Sequence, residues 1–312
     1  MKQKILLISV IIFSIVSITY TGTKGTTAAS FLKISVGARN IAMGETGATS
    51  EDVNSIYWNP SGLASINNIE TSLMHAVWLE TINYEHLACG IPTKYGNLGF
   101  GINYLYMGEM DKYDNTGSKQ EEKMTANDFA LTVFYSRKIL LKGKLPFLNL
   151  GVNLKYLMSK LDTDTASSVA TDIGLQTQLI RPKLRLGLVF QNIGTEMKFI
   201  KEGYPLPLNI KLGLGHTFLI KGNTLDLLLD VNIPNDNNVR INGGIEYGID
   251  CGKKIKVFPR LGYGSYVEGM EDIYGITGGI GFTFRDYTID YAFVPYGKLG
   301  NTHRISLIFK FR

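Results

Sequence analysis

The chain has little charge, almost no cysteine and no long apolar run after its first thirty residues, and each shortage removes a class of protein. Only 19% of its 312 residues are Asp, Glu, Lys or Arg, with 9 Pro. A chain this apolar and this poor in charge and Pro is not a disordered one. Two cysteines, Cys89 and Cys251, cannot staple a chain of this length. A disulfide scaffold is therefore excluded, and both are expected to be buried thiols. Beyond the N-terminus no stretch approaches the roughly 18 apolar residues of a membrane helix. The formal charge is +5, and Lys2, Lys4 and Lys24 lie in a segment read below as removed; the remainder carries 29 − 27, or +2. That is too little for a nucleic-acid footprint, and no basic run is interleaved with aromatics.

Catalytic and metal-site spacings are missing too. His75, His86, His216 and His303 make no ligand pattern with one another or with Cys, and read as satisfied polar or interface groups. There is no Gly-x-Ser-x-Gly elbow and no Walker loop. His303 and Ser306 sit at mixed-face spacing, which does not make a hydrolytic pair. Gly278-Gly279-Ile280-Gly281 falls inside a strand pattern, where Gly marks a bend or close packing. Glu109, Asp111, Asp114, Glu121 and Glu122 lack the spacing of a calcium loop, so 108–126 reads as a solvated loop. No catalytic residue, cofactor site or metal site is expected, and the chain does not read as an enzyme.

What is present begins with Lys2 and Lys4 ahead of an apolar core from Ile5 to Val16. Small residues follow, ending Thr27-Ala28-Ala29. This is the pattern of a signal peptide cleaved after Ala29, too short for a spanning helix.

Period-2 alternation then takes over. Val239, Ile241, Gly243, Ile245, Tyr247 and Ile249 fall on one face; Arg240, Asn242, Gly244, Glu246, Gly248 and Asp250 fall on the other. Leu225, Leu227, Leu229, Val231 and Ile233 alternate with Asp226, Leu228, Asp230 and Asn232. Ile305, Leu307, Phe309 and Phe311 alternate with Arg304, Ser306, Ile308, Lys310 and Arg312. About fourteen such segments follow residue 69: 69–79, 82–91, 96–107, 127–138, 146–159, 167–180, 183–193, 207–219, 224–233, 239–250, 254–266, 273–284, 286–294 and 302–312. An even number of strands this long, with large apolar side chains on one face of nearly every strand, suits a transmembrane barrel. The expected fold is all-β: an antiparallel transmembrane β-barrel of about 14 strands, spanning 69–312. Long odd-numbered connections (108–126, 194–206) and tight even-numbered ones (Arg181-Pro182, 221–223, 251–253, Arg285) give the rim asymmetry of an outer-membrane barrel. Arg185, Lys211, Asp230, Arg240, Glu246, Arg260, Asp290, Arg304 and Lys310 are expected to face the lumen, where they would pair with one another or with a plug, or set ligand selectivity.

Residues 30–68 do not alternate. Phe31, Met43, Tyr57, Trp58 and Leu63 are costly to leave in water, so this segment is expected inside the barrel, and fourteen strands leave room for it. The stretch Phe31-Leu32-Lys33-Ile34, Val36-Gly37-Ala38-Arg39, Ala42-Met43-Gly44 and Ile56-Tyr57-Trp58-Asn59-Pro60-Ser61-Gly62-Leu63-Ala64 strongly resembles the PorV/PorQ family, within the wider FadL-like group of outer-membrane transporters of hydrophobic compounds. Shorter pieces continue in order to the end, among them Asp172-Ile173-Gly174, Asn192-Ile193-Gly194 and Thr302-His303-Arg304-Ile305-Ser306-Leu307. The resemblance implies a fourteen-strand barrel with an N-terminal hatch in its lumen. Gly37, Arg39, Met43, Gly44, Trp58, Asn59, Pro60, Ser61 and Gly62 then belong to the hatch motif, with Ser61 where Ala is commoner. It also implies passage of hydrophobic or amphipathic compounds or, alternatively, a part in type nine secretion with exported proteins as partners. The remaining expected partners are outer-membrane lipid and the barrel-assembly machinery, which would read Phe309 and Phe311 in the last strand.

Overall fold

A computed structural model describes residues 25–79, 81–143, 145–179, 184–265 and 275–311. The apolar leader up to residue 24, the turn at Arg181-Pro182 and Arg312 lie outside the described residues. Fourteen strands close a barrel: β1 (Ile69–Val77), β2 (Asn83–Thr93), β3 (Gly96–Tyr106), β6 (Ala126–Leu140), β7 (Phe147–Leu161), β8 (Asp164–Gln178), β9 (Leu184–Gly194), β12 (Asn209–Ile220), β13 (Asn223–Pro234), β14 (Arg240–Asp250), β15 (Ile255–Gly264), β16 (Ile276–Phe284), β17 (Tyr287–Pro295) and β18 (Asn301–Phe311). Every neighbouring pair is antiparallel, and β1 pairs with both β2 and β18. Each alternating segment of the sequence corresponds to one barrel strand, with ends shifted by three residues or fewer.

The alternation has a direct physical cause. Along β14 the isoleucines Ile241 and Ile245 point outward and are half exposed, while Asn242, Gly244 and Glu246 are buried against the lumen contents. Leu154, Val169, Leu261, Ile280 and Ile305 continue the same outward apolar belt around the wall. A water-soluble protein would not present so continuous a belt, and a bilayer solvates it.

Two of the long connections carry strands of their own, and 108–126, read as a solvated loop, is largely exposed to solvent as expected. Residues 108–126 hold a hairpin of β4 (Met110–Tyr113) and β5 (Lys119–Met124), and 194–206 hold the short ladder of β10 (Met197–Lys198) and β11 (Gly203–Tyr204). The first is stitched by Lys119–Asp111 at 2.7 Å and Lys123–Glu109 at 3.1 Å. The expectation of two buried thiols is also corrected. Cys251 is exposed in the β14–β15 turn, where nothing packs over it, and Cys89 is half-buried because its parity on β2 turns it to the outer face.

Residues 30–66 fill the lumen. They form a 3-10 turn (Ser30–Lys33), helix α1 (Ala38–Ala42), helix α2 (Ser55–Trp58) and a second 3-10 turn (Pro60–Ser65). Helices this short are not stable alone, so their conformation is imposed by the surrounding wall. Phe31, Val36, Ile41, Met43, Trp58 and Leu63 are almost fully buried, and the core of the molecule is this contact between plug and inner wall. Wall glycines make the contact close. A Cβ on Gly262 would sit 1.9 Å from the Gly44 nitrogen, and one on Gly151 would sit 2.2 Å from the Pro60 carbonyl carbon. Gly44 itself has φ of 71°, a left-handed conformation that favours glycine.

Candidate functional site: the hatch and its two cavities

The hatch is tied to the wall at each turn of its path. Asn59 caps the Pro60–Ser65 turn by accepting from the Ser61 N–H at 3.2 Å and the Ser61 hydroxyl at 2.7 Å. Pro60 holds the first position, where a missing N–H costs nothing. The Asn59 amide donates to the Ala48 carbonyl at 2.7 Å and reaches Leu175 O of the wall at 3.3 Å. Trp58 Nε1 donates to Val36 O at 3.0 Å, closing the hatch on itself. The Gly37 N–H points at Met74 Sδ at 3.2 Å, and Gly44 N donates to Thr277 Oγ1 at 3.0 Å. Met43 and Gly62 are buried between these anchors.

The inward charges sort into groups. At the short-turn rim, Arg39 of α1 grips Glu246 through two hydrogen bonds of 2.9 Å and reaches Asp226 at 3.2 Å. Arg260 bonds Glu246 and Asp290, each at 2.6 Å, and Arg185 bonds Asp226 at 2.6 Å. Three guanidinium groups thus meet three carboxylates. Burial works against the Arg39 charge, but Glu246, Asp226 and Asp52 outweigh it and hold its pKa well above the ordinary value. Asp230 takes a different part: its Oδ2 accepts from the hatch N–H groups of Gly47 at 2.7 Å and Ala48 at 3.0 Å. Arg304 is fully buried, donates to Ser35 O at 2.7 Å and lies 4.6 Å over the Trp78 ring. Lys310 pairs with Glu70 at 2.9 Å. Lys211 and Arg240 stand at the opposite, long-loop end of the lumen. Phe309 meets Tyr287 edge-on at 5.7 Å on the outer face, and Phe311 is exposed there.

Several anchoring groups were not among the residues picked from the sequence. Asp226 is the clearest, since it shares the parity of Asp230 on β13 and the alternation already exposed it. Asp172 bonds Lys155 at 2.7 Å, Asn153 at 2.8 Å and the Asn192 N–H at 2.8 Å. Here the register shifts between Thr171 and Ile173, and Asn192 takes φ of 61°. A bulge is invisible to strict alternation. The glycines of Gly278-Gly279-Ile280-Gly281 serve packing, because a Cβ on Gly279 would lie 2.5 Å from the Ala42 Cβ.

Two cavities beside the hatch are larger than the others described there. One of about 230 Å³ opens at the short-turn rim among Arg39, Glu51, Asp52, Arg185 and Lys310. The other, about 130 Å³, opens at the long-loop rim among Lys33, Glu45, Trp58, Lys211 and Arg240. Both are lined by charge. The large apolar concavity, about 590 Å³, lies on the outer wall over Leu186, Leu188, Leu212, Leu229 and Ile241. Among the described residues no cluster of His, Cys, Asp and Glu could hold a metal ion.

A closed antiparallel barrel with an outward apolar belt and a hatch folded into its lumen has the fold of the FadL-like outer-membrane barrels. The chain belongs to the PorV family, whose model, described as type IX secretion system protein PorV, matches residues 21–233. Among solved structures it is similar to the Pseudomonas putida toluene transporter TodX, with a TM-score of 0.56 and 12% identity over 88% of this chain and 96% of that one. A Pseudomonas aeruginosa FadL homologue matches with a TM-score of 0.52 and 10% identity, over 89% of this chain and 98% of that one. At these identities the likeness is one of fold. No curated protein matches the chain.

Proposed function

We propose that the chain is an outer-membrane component of a type IX-like secretion and surface-attachment system, meeting exported proteins at its long-loop rim while its hatch stays closed. The supporting observation is the character of the lumen. A hydrophobic compound crossing by that route needs an apolar path between hatch and wall, and the two larger cavities described there carry several charged side chains. The β4–β5 hairpin stands on the long-loop rim, the side that faces outward in barrels of this kind. In this reading residues 1–29 direct export and are removed, residues 30–68 act as the plug, and Phe309 and Phe311 serve the barrel-assembly machinery. No catalysis is assigned.

The test is purification of the tagged protein from native outer membranes in mild detergent, with bound proteins and small molecules identified by mass spectrometry. Exported proteins sharing a C-terminal domain should be recovered, and recovery should fall when the chain between Met110 and Met124 is replaced by a short Gly-Ser linker. A discrete lipophilic molecule without a stoichiometric protein partner would overturn this reading. It would support the second one, FadL-like handling of hydrophobic compounds, which the apolar concavity on the outer wall favours.

A further inference from the structure

The lumenal cavity at the long-loop rim contains a cation, Lys211, that no direct ion pair or hydrogen bond holds among the described residues. Lys211 is 4% exposed, and among the described residues its ammonium makes no ion pair and no hydrogen bond. It sits 4.3 Å over the ring of Trp58, whose π face balances part of the charge but accepts no strong hydrogen bond. The carboxylates nearby also hold other groups, and Asp230, diagonal to Lys211 across the β12–β13 pair, balances part of the ammonium charge through space without a direct bond to it. Asp230 holds the hatch amides of Gly47 and Ala48, Glu45 faces Arg240 at 3.6 Å, and Asp236 is paired with Lys33. Arg240 lines the same cavity, and its Nε is buried without a partner. Two cationic side chains thus line one space of about 130 Å³, and the Lys211 ammonium has no hydrogen-bond acceptor among the described residues. A buried ammonium lacking acceptors is costly, and an anion that reaches it removes that cost.

We infer that this funnel is a binding site for a compact oxyanion, a single carboxylate or phosphate group held by Lys211 and Arg240 against the edge of Trp58. The volume admits such a group with a water or two, and excludes anything bulky from the depth of the site. The site is independent of the secretion reading, since a free anion or a group carried on a larger molecule would bind through the same donors.

Trp58 reports on occupancy. The chain has two tryptophans, so Trp78→Phe leaves Trp58 alone. The Trp78→Phe protein in detergent is titrated with sodium acetate and sodium phosphate, and with sodium chloride at matched ionic strength. Saturable changes in Trp58 emission with acetate or phosphate, and not with chloride, are expected. Lys211→Met should weaken them about tenfold or more, the scale of a lost charged hydrogen bond, and Lys211→Arg should keep them. Heat-modifiable gel mobility checks that each variant is folded; should Lys211→Met not fold, the chloride comparison and Lys211→Arg still decide. Tetraglycine with a free C-terminus, against its C-terminal amide, separates the sources. Tighter binding of the acid than of acetate indicates a chain-borne carboxylate, and equal binding indicates a free anion. A response no different from chloride, or one unchanged in folded Lys211→Met, would overturn the site.

Discussion

The two ends of the lumen are built from the same residue types to opposite effect. At the short-turn rim the described lumenal guanidinium groups have carboxylates: Arg39, Arg185 and Arg260 close on Asp226, Glu246 and Asp290. At the long-loop rim Lys211 has an aromatic ring and no carboxylate within ion-pair distance. The first arrangement holds a plug in place, because removing any one member leaves its partners with less compensation in a space largely shielded from water. The second leaves donors in reserve. A paired lumen charge therefore says something about anchoring, and an unpaired one about what can enter.

Perturbing the two ends should separate these roles. The largest effect is expected from Arg39→Met, which leaves Glu246 and Asp226 short of a partner; a loss of about 3–5 kcal/mol is the usual cost of breaking a buried pair. The thermal midpoint of the heat-modifiable band should fall, and single-channel conductance in planar bilayers should rise as the hatch loosens. Adding Glu246→Met to Arg39→Met should return part of the stability. Next comes Gly262→Ala, which drives a methyl into Gly44 and should cost about 1–3 kcal/mol by overpacking, with increased protease access to residues 30–66. Asn59→Ala removes the cap of the Pro60–Ser65 turn and should cost about 1 kcal/mol. Lys211→Met should leave the same midpoint unchanged or raise it by about 1 kcal/mol, since it removes a buried charge that no direct ion pair satisfies. A large destabilisation there would erase the contrast between the two ends. The smallest effect is a pH dependence outside the lumen. Lys119 holds the Asp111 carboxyl below the usual carboxylate range, and Thr116 with the Ser118 N–H does the same for Asp114. Groups depressed in the folded hairpin favour it above the ordinary carboxylate pKa and release it as pH falls through their lowered values. The protection factors of amides in 110–124, corrected for the intrinsic slowing of exchange in acid, should therefore fall as pH is lowered while those of the barrel amides hold.

The barrel was legible because period 2 is an unambiguous signature when one face meets lipid and the other a packed lumen. That parity placed Glu246, Arg260 and Asp290 on the inner face before any coordinates, and it carried Asp226 as well. The hatch was legible only by resemblance. Its helices of four and five residues are shorter than the repeat a periodicity needs, and the wall dictates them. The β4–β5 hairpin escaped because alternating Lys, Asp and Glu reads as solvated loop until its cross-strand pairs are seen. The Asp172 cluster escaped because one bulged residue breaks the count on which the reading depended.

The seam between β1 and β18 puts the chain's first strand beside its last, with Ile69 opposite Phe311. The barrel cannot close until β18 has taken its place beside β1. The hatch lies just ahead of β1, so the plug's tether and the closing seam meet at one place on the cylinder. A contact this distant in sequence forms slowly on its own, because the loop it closes is nearly the whole chain.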